Sequence, residues 1–203
     1  VTQRLRPVLF LDFKEALWSD SPYDAYDVTD ALYGKHVNAA AVYRDVFGEG
    51  GKQELKRVHD ALDGELRYVI SSTWRKYFER DQLAFVLTQA GLGFVAEAME
   101  PQPRWRTSLR YFYRPRIEEF GAWLEAHHSG EPVAILAAAR SDFSLLDASR
   151  SSSHPLAGRV VLCHDGVGLC DEHVEPLVRA LRRPFQGIKS RHESMSAISG
   201  AEL

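Results

Sequence analysis

The chain has 203 residues, 45% hydrophobic and 26% charged, with 25 Lys and Arg against 28 Asp and Glu for a net charge of −3. That is ordinary composition for one globular domain with a core of its own, and it offers no overall basic field for nucleic acid or a membrane surface. Two cysteines exclude a disulfide framework, no apolar run approaches the roughly 18 residues of a membrane span, and the residues before Pro7 lack the apolar stretch of a signal peptide; a reduced, cytoplasmic setting is expected.

The first element is Pro7-Val8-Leu9-Phe10-Leu11, a short apolar run ending at Asp12. A continuous run of this length fits a strand buried on both faces. Residues 19–30 are polar and turn-rich and read as a loop. Ala39, Val42, Tyr43 and Val46 recur at helical spacing, and Gly48, Gly50 and Gly51 are expected to stop that helix. Leu55, Val58, His59 and Leu62 mark a second helix, ending near Gly64. Residues 67–72 read as a second strand with a polar end, Ser71-Ser72. A helix follows on Leu83, Val86, Leu87 and Ala90, closed by Gly91, and residues 92–95 read as a short strand. Residues 101–113 are aromatic, basic and irregular. Ile117, Phe120, Trp123 and Leu124 mark an amphipathic helix, and Val133 to Leu136 a third core strand. Residues 144–158 read as loop, 159–163 as a fourth strand, and Val174, Leu177, Val178 and Leu181 as the last helix before Pro184. The domain is expected over residues 1–186, with 187–203 a polar, flexible tail.

Strands alternating with helices imply βαβ units and a mainly parallel sheet covered on both faces. Ligands of such sheets sit at the carboxyl ends of the strands. The residues expected there are Asp12, Ser71 and Ser72, Ala137 and Ala138, and His164 and Asp165.

With Asp12 after one buried strand and Ser71-Ser72-Thr73-Trp74-Arg75 after the next, the chain resembles the haloacid-dehalogenase (HAD) superfamily of phosphatases, and within it the small branch associated with RNA repair. The likeness continues through residues 116–124, Ala134-Ile135-Leu136 ahead of Asp142-Phe143, and Gly168-Leu169 before the last helix. It implies an α/β three-layer sandwich; the spacing between Leu17 and Arg67 leaves room for a minimal cap or none. A receiver-like doubly wound fold also ends strands in Asp and Ser or Thr, but its order fits less well. In the chemistry the resemblance implies, an Asp attacks phosphorus to form an aspartyl-phosphate. A second Asp, two residues on, protonates the leaving oxygen. A Ser or Thr holds the phosphoryl oxygens, a Lys or Arg balances charge, and acids after the later strand hold Mg²⁺.

The departures carry as much information as the matches. Asp12 stands at the nucleophile position, Ser71 or Ser72 at the phosphate-holding position and Arg116 near the usual cation. Lys14 replaces the general acid, Glu15 replaces a small residue, and Ala137 and Ala138 stand where metal-holding acids belong. A Lys14–Asp12 pair that mimics the metal's charge is expected. Asp142 and Asp147 are the later acids that could restore metal binding. The reading is a degenerate site with no metal and no cofactor, in a binding or regulatory protein whose partner is a protein, a phosphorylated ligand or nucleic acid, and not a membrane. The alternative is an Mg²⁺-dependent phosphohydrolase with a rearranged site, acting on nucleic-acid ends.

Other signals have plainer readings. Ser71, Ser72 and Thr73 suit a cap as well as a phosphate site, and Trp74 suits core packing. Cys163, His164, Cys170 and His173 match no common structural zinc spacing. His127 and His128 are expected in solvent at a helix end. Arg104, Trp105, Arg106 and Arg110, followed by Tyr111, Phe112 and Tyr113, are the candidate binding surface, because arginine interleaved with aromatics suits both bases and protein interfaces.

Overall fold

The computed structural model describes residues 5–14, 16–17, 21–109, 114–140 and 142–187 of the chain. Four strands, β1 (Val8–Leu11), β2 (Arg67–Ile70), β3 (Val133–Ala138) and β4 (Val160–Cys163), form one parallel sheet in the order β2-β1-β3-β4. Eight α-helices are described: α1 (Ala25–Leu32), α2 (Ala39–Asp45), α3 (Glu49–Asp60), α4 (Arg80–Gln89), α5 (Gly93–Ala98), α6 (Arg116–His127), α7 (Phe143–Arg150) and α8 (Asp171–Arg182). This is the expected α/β architecture.

The two-residue period of the strands sorts the core into two halves. Leu9, Leu11, Tyr68, Ile70, Ala134 and Leu136 face a large cluster with Val28, Val42, Leu55, Val58, Leu83, Val86, Val95, Leu177 and Leu181. Val8, Phe10, Val69, Val133, Ile135 and Ala137 face a smaller one with Phe120, Trp123, Leu124, Leu145 and Ala148. So α1–α5 and α8 cover one face, and α6 and α7 cover the other. The helices between β1 and β2 share the sheet's own core. Beyond β2, residues 99–107 run parallel to its free edge: Glu100 N–H donates to Tyr68 O at 2.9 Å and Thr107 N–H to Ile70 O at 3.0 Å. The edge is thereby covered.

Four segments differ from their sequence reading. Residues 92–95 open α5, because Leu92, Val95 and Ala96 repeat at helical spacing and Leu92 N–H bonds back to Leu87 O at 2.8 Å. Residues 25–30 form most of α1: Asp24 accepts from Tyr26 N and Asp27 N, and Asp27 returns the bond in a capping box. Residues 143–150 form α7, capped by Asp142, with Leu145 and Ala148 turned inward. Gly50 and Gly51 lie inside α3 and do not end a helix. A Cβ at Gly51 would stand 3.3 Å from Leu17 Cα, so glycine there lets the helix close on the segment after β1.

Candidate functional site at the strand ends

β1 is the switch point of the sheet: β2 lies on one side and β3 on the other. Crevices in open α/β sheets form where the order reverses in this way. Asp12 leaves β1 with its N–H bonded to Leu136 O at 3.1 Å, and Ser71 leaves β2 with its N–H bonded to Leu11 O at 3.0 Å. The three strand ends therefore place Asp12, Ser71 and Ala137–Ala138 together.

The cation on Asp12 is Arg116, the first residue of α6. Its Nη1 donates to Asp12 Oδ2 at 2.9 Å, and its Nη2 donates to Ser71 O at 2.9 Å. The expected Lys14–Asp12 ion pair is not the one that forms. Only the backbone N–H of Lys14 reaches Asp12, at 3.3 Å to Oδ1, and the Lys14 side chain is exposed. Phe13, between them, is buried against Phe47 and Trp74. Glu15 lies outside the described residues.

Arg116 is held from several sides. Its backbone N–H donates to Asp142 Oδ2 at 2.9 Å, and Ile117 N–H donates to Ser144 Oγ at 3.2 Å. Two amides at the start of α6, which have no helical partner of their own, are thus satisfied from α7. Its Nε lies 3.8 Å from Glu119 Oε2. Burial opposes the charge of Arg116, but the carboxylates of Asp12, Glu119 and Asp142 outweigh it and raise its pKa.

Behind this pair stands a second one that sequence reasoning missed. Arg75 and Glu119 are both buried, 2.7 Å apart. Arg75 also donates to Ser72 O at 2.6 Å and to Ser71 O, and Thr107 Oγ1 donates to Glu119 Oε2 at 3.2 Å. Burial lowers the pKa of Arg75 and raises that of Glu119, each opposed by the other's charge. The network runs Asp12–Arg116–Glu119–Arg75 and pins the Ser71–Ser72 turn. Ser72 caps the 3₁₀ turn Thr73–Lys76, accepting from Trp74 N, and Trp74 is core, as expected. Ser71 Oγ is buried and, among the described residues, has no hydrogen-bond partner; nor has Arg116 Nε.

The acids that could have restored a metal are committed elsewhere. Asp142 bonds Ser144 N at 2.6 Å through Oδ1 and Arg116 N through Oδ2. Asp147 is exposed on α7. Among the described residues Asp12 belongs to no group of three metal-ligating side chains.

The candidate binding surface is altered by the structure. Trp105 is fully buried in the core and is not a surface residue; its own C=O accepts from Ile70 N–H at 2.7 Å. Edge pairing with β2 turns its ring inward. Arg104 and Arg106 are half-buried. Arg104 lies 3.6 Å from Glu100, and Arg106 donates to Arg75 O at 2.8 Å while lying over the Trp105 ring. Arg110 and residues 111–113 lie outside the described residues. His127 and His128 are half-buried, not solvated: the His127 ring packs on Trp123 and His128 Nε2 lies 2.9 Å from Glu131 O. A cleft of about 260 Å³ is lined by Lys14 and Thr73, from the segments that follow Asp12 and Ser72, together with Asp24, Ala25, Tyr26, Trp74 and Tyr77.

Comparison with known protein families matches residues 8–174 to the HAD domain in Swiss Army Knife RNA repair proteins. The chain belongs to that family. No curated protein and no solved structure matches it. The match spans all four strands, from β1 through β4, and the start of α8. No described helix is long and apolar enough to cross a membrane.

HAD domains typically use Mg²⁺, and the residues here do not fit that ion. Buried Ala137 and Ala138 offer no side-chain oxygen at the end of β3, and the free side of the Asp12 carboxylate is taken by a guanidinium.

Proposed function

We propose that this HAD domain binds a phosphorylated ligand at its strand ends without hydrolysing it. The observation that carries the reading is the Arg116 guanidinium seated between Asp12 Oδ2 and Ser71 O. A carboxylate so engaged is a weaker nucleophile, because the guanidinium offsets its charge and holds one of its oxygens. Lys14 has no carboxylic proton to give a leaving group, which removes the general acid as well.

What remains suits anion binding. Ser71 Oγ is a buried hydroxyl without a hydrogen-bond partner among the described residues, and such a group calls for a ligand or ordered water. Exposed Tyr26 and Tyr77, with ring centroids 5.7 Å apart, line the same cleft as Lys14. Aromatic faces beside a cation suit a nucleic-acid end that carries a phosphate. The family's connection to RNA repair favours that ligand class over a small phosphorylated metabolite.

The test measures hydrolysis and binding together. Hydrolysis of p-nitrophenyl phosphate and of phosphate-ended oligoribonucleotides is followed with Mg²⁺, for the wild type and for Lys14→Asp. Binding is followed by fluorescence anisotropy with phosphate-ended and hydroxyl-ended oligonucleotides. The expected result is no turnover in either protein and binding that requires the terminal phosphate. Mg²⁺-dependent turnover abolished by Asp12→Asn would instead establish a phosphohydrolase with a rearranged site. The retained Asp12 is the feature that favours that second reading.

A further inference from the structure

We propose that His164, Glu172 and His173 form a binding site for a transition-metal ion of the zinc class, brought together where the turn after β4 folds back on the first turn of α8. The site lies one strand beyond β3, so it stands or falls independently of the Asp12 end.

The spacing of the cysteines and histidines gave no zinc pattern because the third ligand is neither. After β4 the chain turns tightly: Val167 N–H and Gly168 N–H both donate to His164 O at 3.2 Å, and Gly166 and Gly168 have φ of +72° and +74°. Those left-handed positions suit glycine. The turn returns His164 to the start of α8, with its ring 5.9 Å from that of His173. Glu172 lies between them: its Oε1 is 3.4 Å from His164 Nε2 and 3.8 Å from His173 Nε2. The three ligand atoms lie within 4.8 Å of one another. A tetrahedral Zn²⁺ with bonds of roughly 2.0–2.2 Å sets its ligand atoms about 3.4 Å apart, so small side-chain adjustments close the site. Two imidazoles and one carboxylate favour zinc-like ions over Mg²⁺, which prefers oxygen ligands throughout.

Burial divides the roles. His173 is nearly buried and fixed by its neighbours, whereas His164 and Glu172 are exposed and leave an entry path. Cys170 Sγ is 3.6 Å from Glu172 Oε1 and 3.2 Å from His173 Nδ1. The proton count is specific. Cys170 N–H donates to His173 Nδ1 at 3.1 Å, so in the neutral ring the proton sits on Nε2. Metal at Nε2 requires that proton to move to Nδ1, where Cys170 Sγ accepts it and the cap bond is given up. The positive end of α8 opposes a cation, and the carboxylates of Asp171 and Glu172 in its first turn offset it. Among the described residues no other three His, Cys, Asp or Glu side chains come this close. An ion here would also tie down the turn whose Leu169 N–H donates to Ala16 O at 2.7 Å, on the segment that follows Asp12.

The experiment strips the full chain with a chelator and titrates it with Zn²⁺ by calorimetry and with Co²⁺ by visible absorption. It is repeated on His164→Ala and Glu172→Gln, both exposed positions at which the fold should survive, as circular dichroism will check. The expected result is one ion per chain with a tetrahedral Co²⁺ spectrum and no displacement by excess Mg²⁺. Each variant should lose at least the ~10–100-fold in affinity that goes with removing even an outer-shell partner. Absence of binding, or Zn²⁺ affinity unchanged in both folded variants, would overturn the proposal.

Discussion

Arg116 and Arg159 are both largely buried arginines at opposite ends of the same sheet, and they are neutralised in different ways. Arg116, at the carboxyl ends of the strands, is paired with the Asp12 side chain at 2.9 Å. Arg159, just before β4, has no carboxylate on it among the described residues. It donates to Val133 O, Ala180 O, Arg183 O and Pro184 O at 2.6–3.2 Å, and its guanidinium lies over the Phe185 ring. Burial and Arg183 push its pKa down to about 10, still charged at neutral pH. Ala180 O, in the last turn of α8, carries the negative end of the helix, and with the other three carbonyls it lets backbone alone host this cation. Arg159 joins the chain leaving α8 to the sheet. Arg116 instead closes a site, and its partner is a side chain that substitution can remove.

That difference predicts the largest effect. Arg116→Met leaves Asp12 buried without its counter-ion and should cost about 3–5 kcal/mol. Arg159→Met strands several carbonyls but no charge, and should cost about 2–3 kcal/mol. Adding Asp12→Asn to Arg116→Met should recover most of the loss, whereas no single side-chain change can rescue Arg159→Met. Urea unfolding at pH 7, with unchanged m-values, gives these numbers directly. A double variant no more stable than Arg116→Met alone would break the distinction, and would mean that the bond from Arg116 to Ser71 O carries the stability.

A smaller effect lies on the acid side. Burial works against ionisation of Asp142, but its bonds from Ser144 and from Arg116 N–H outweigh it and hold the carboxyl below its usual range. A depressed carboxyl adds stability above the unfolded value, about pH 4, and that stability is lost as pH falls through the lower folded value. Asp142→Asn keeps an oxygen for the α7 cap and gives up the charge. It should be less stable than the wild type by about 1 kcal/mol at pH 7, the difference between hydrogen bonds to a charged and to a neutral acceptor, with the gap closing below about pH 4. A gap that stays constant down the acid limb would mean that the charge of Asp142 does not help to hold Arg116 in place.

Much of this frame was legible in the sequence. The four core strands are apolar runs too short for helices, and each ends in a polar or small residue. Asp12, Ser71 and Arg116 converge as their order along the chain implied. What was not legible is non-local or weakly patterned. Glu119 sits on a helix face that reads as solvated, and only Arg75, arriving from the turn after β2, makes it a buried partner. Lys14 is only two residues from Asp12 in sequence, but a cation 104 residues away takes the carboxylate. Helices α1 and α7 bury only two or three residues each, too few for a clear period, and their Asp caps read as loop. The His164–Glu172–His173 cluster was hidden because the zinc pattern was weighed on cysteines and histidines, and the third member is Glu172.

The smallest predicted effect concerns how the end of the sheet that carries the site is backed. Gly50 and Gly51 are neighbours inside α3, and glycine costs a helix about 1 kcal/mol relative to alanine. A Cβ at Gly50 meets nothing within 4 Å, so Gly50→Ala should stabilise by about 0.5–1 kcal/mol. A Cβ at Gly51 meets Leu17 Cα at 3.3 Å and Ala16 O at 3.4 Å, both backbone atoms of the segment that follows Asp12. Relieving that contact means shifting the backbone, so Gly51→Ala should instead lose about 1 kcal/mol net, at the low end of overpacking costs. Thermal unfolding of the two variants resolves opposite signs. Equal stabilisation would show that α3 has slack against the Asp12 segment, and that the ion pair with Arg116, not the packing behind it, sets where Asp12 sits.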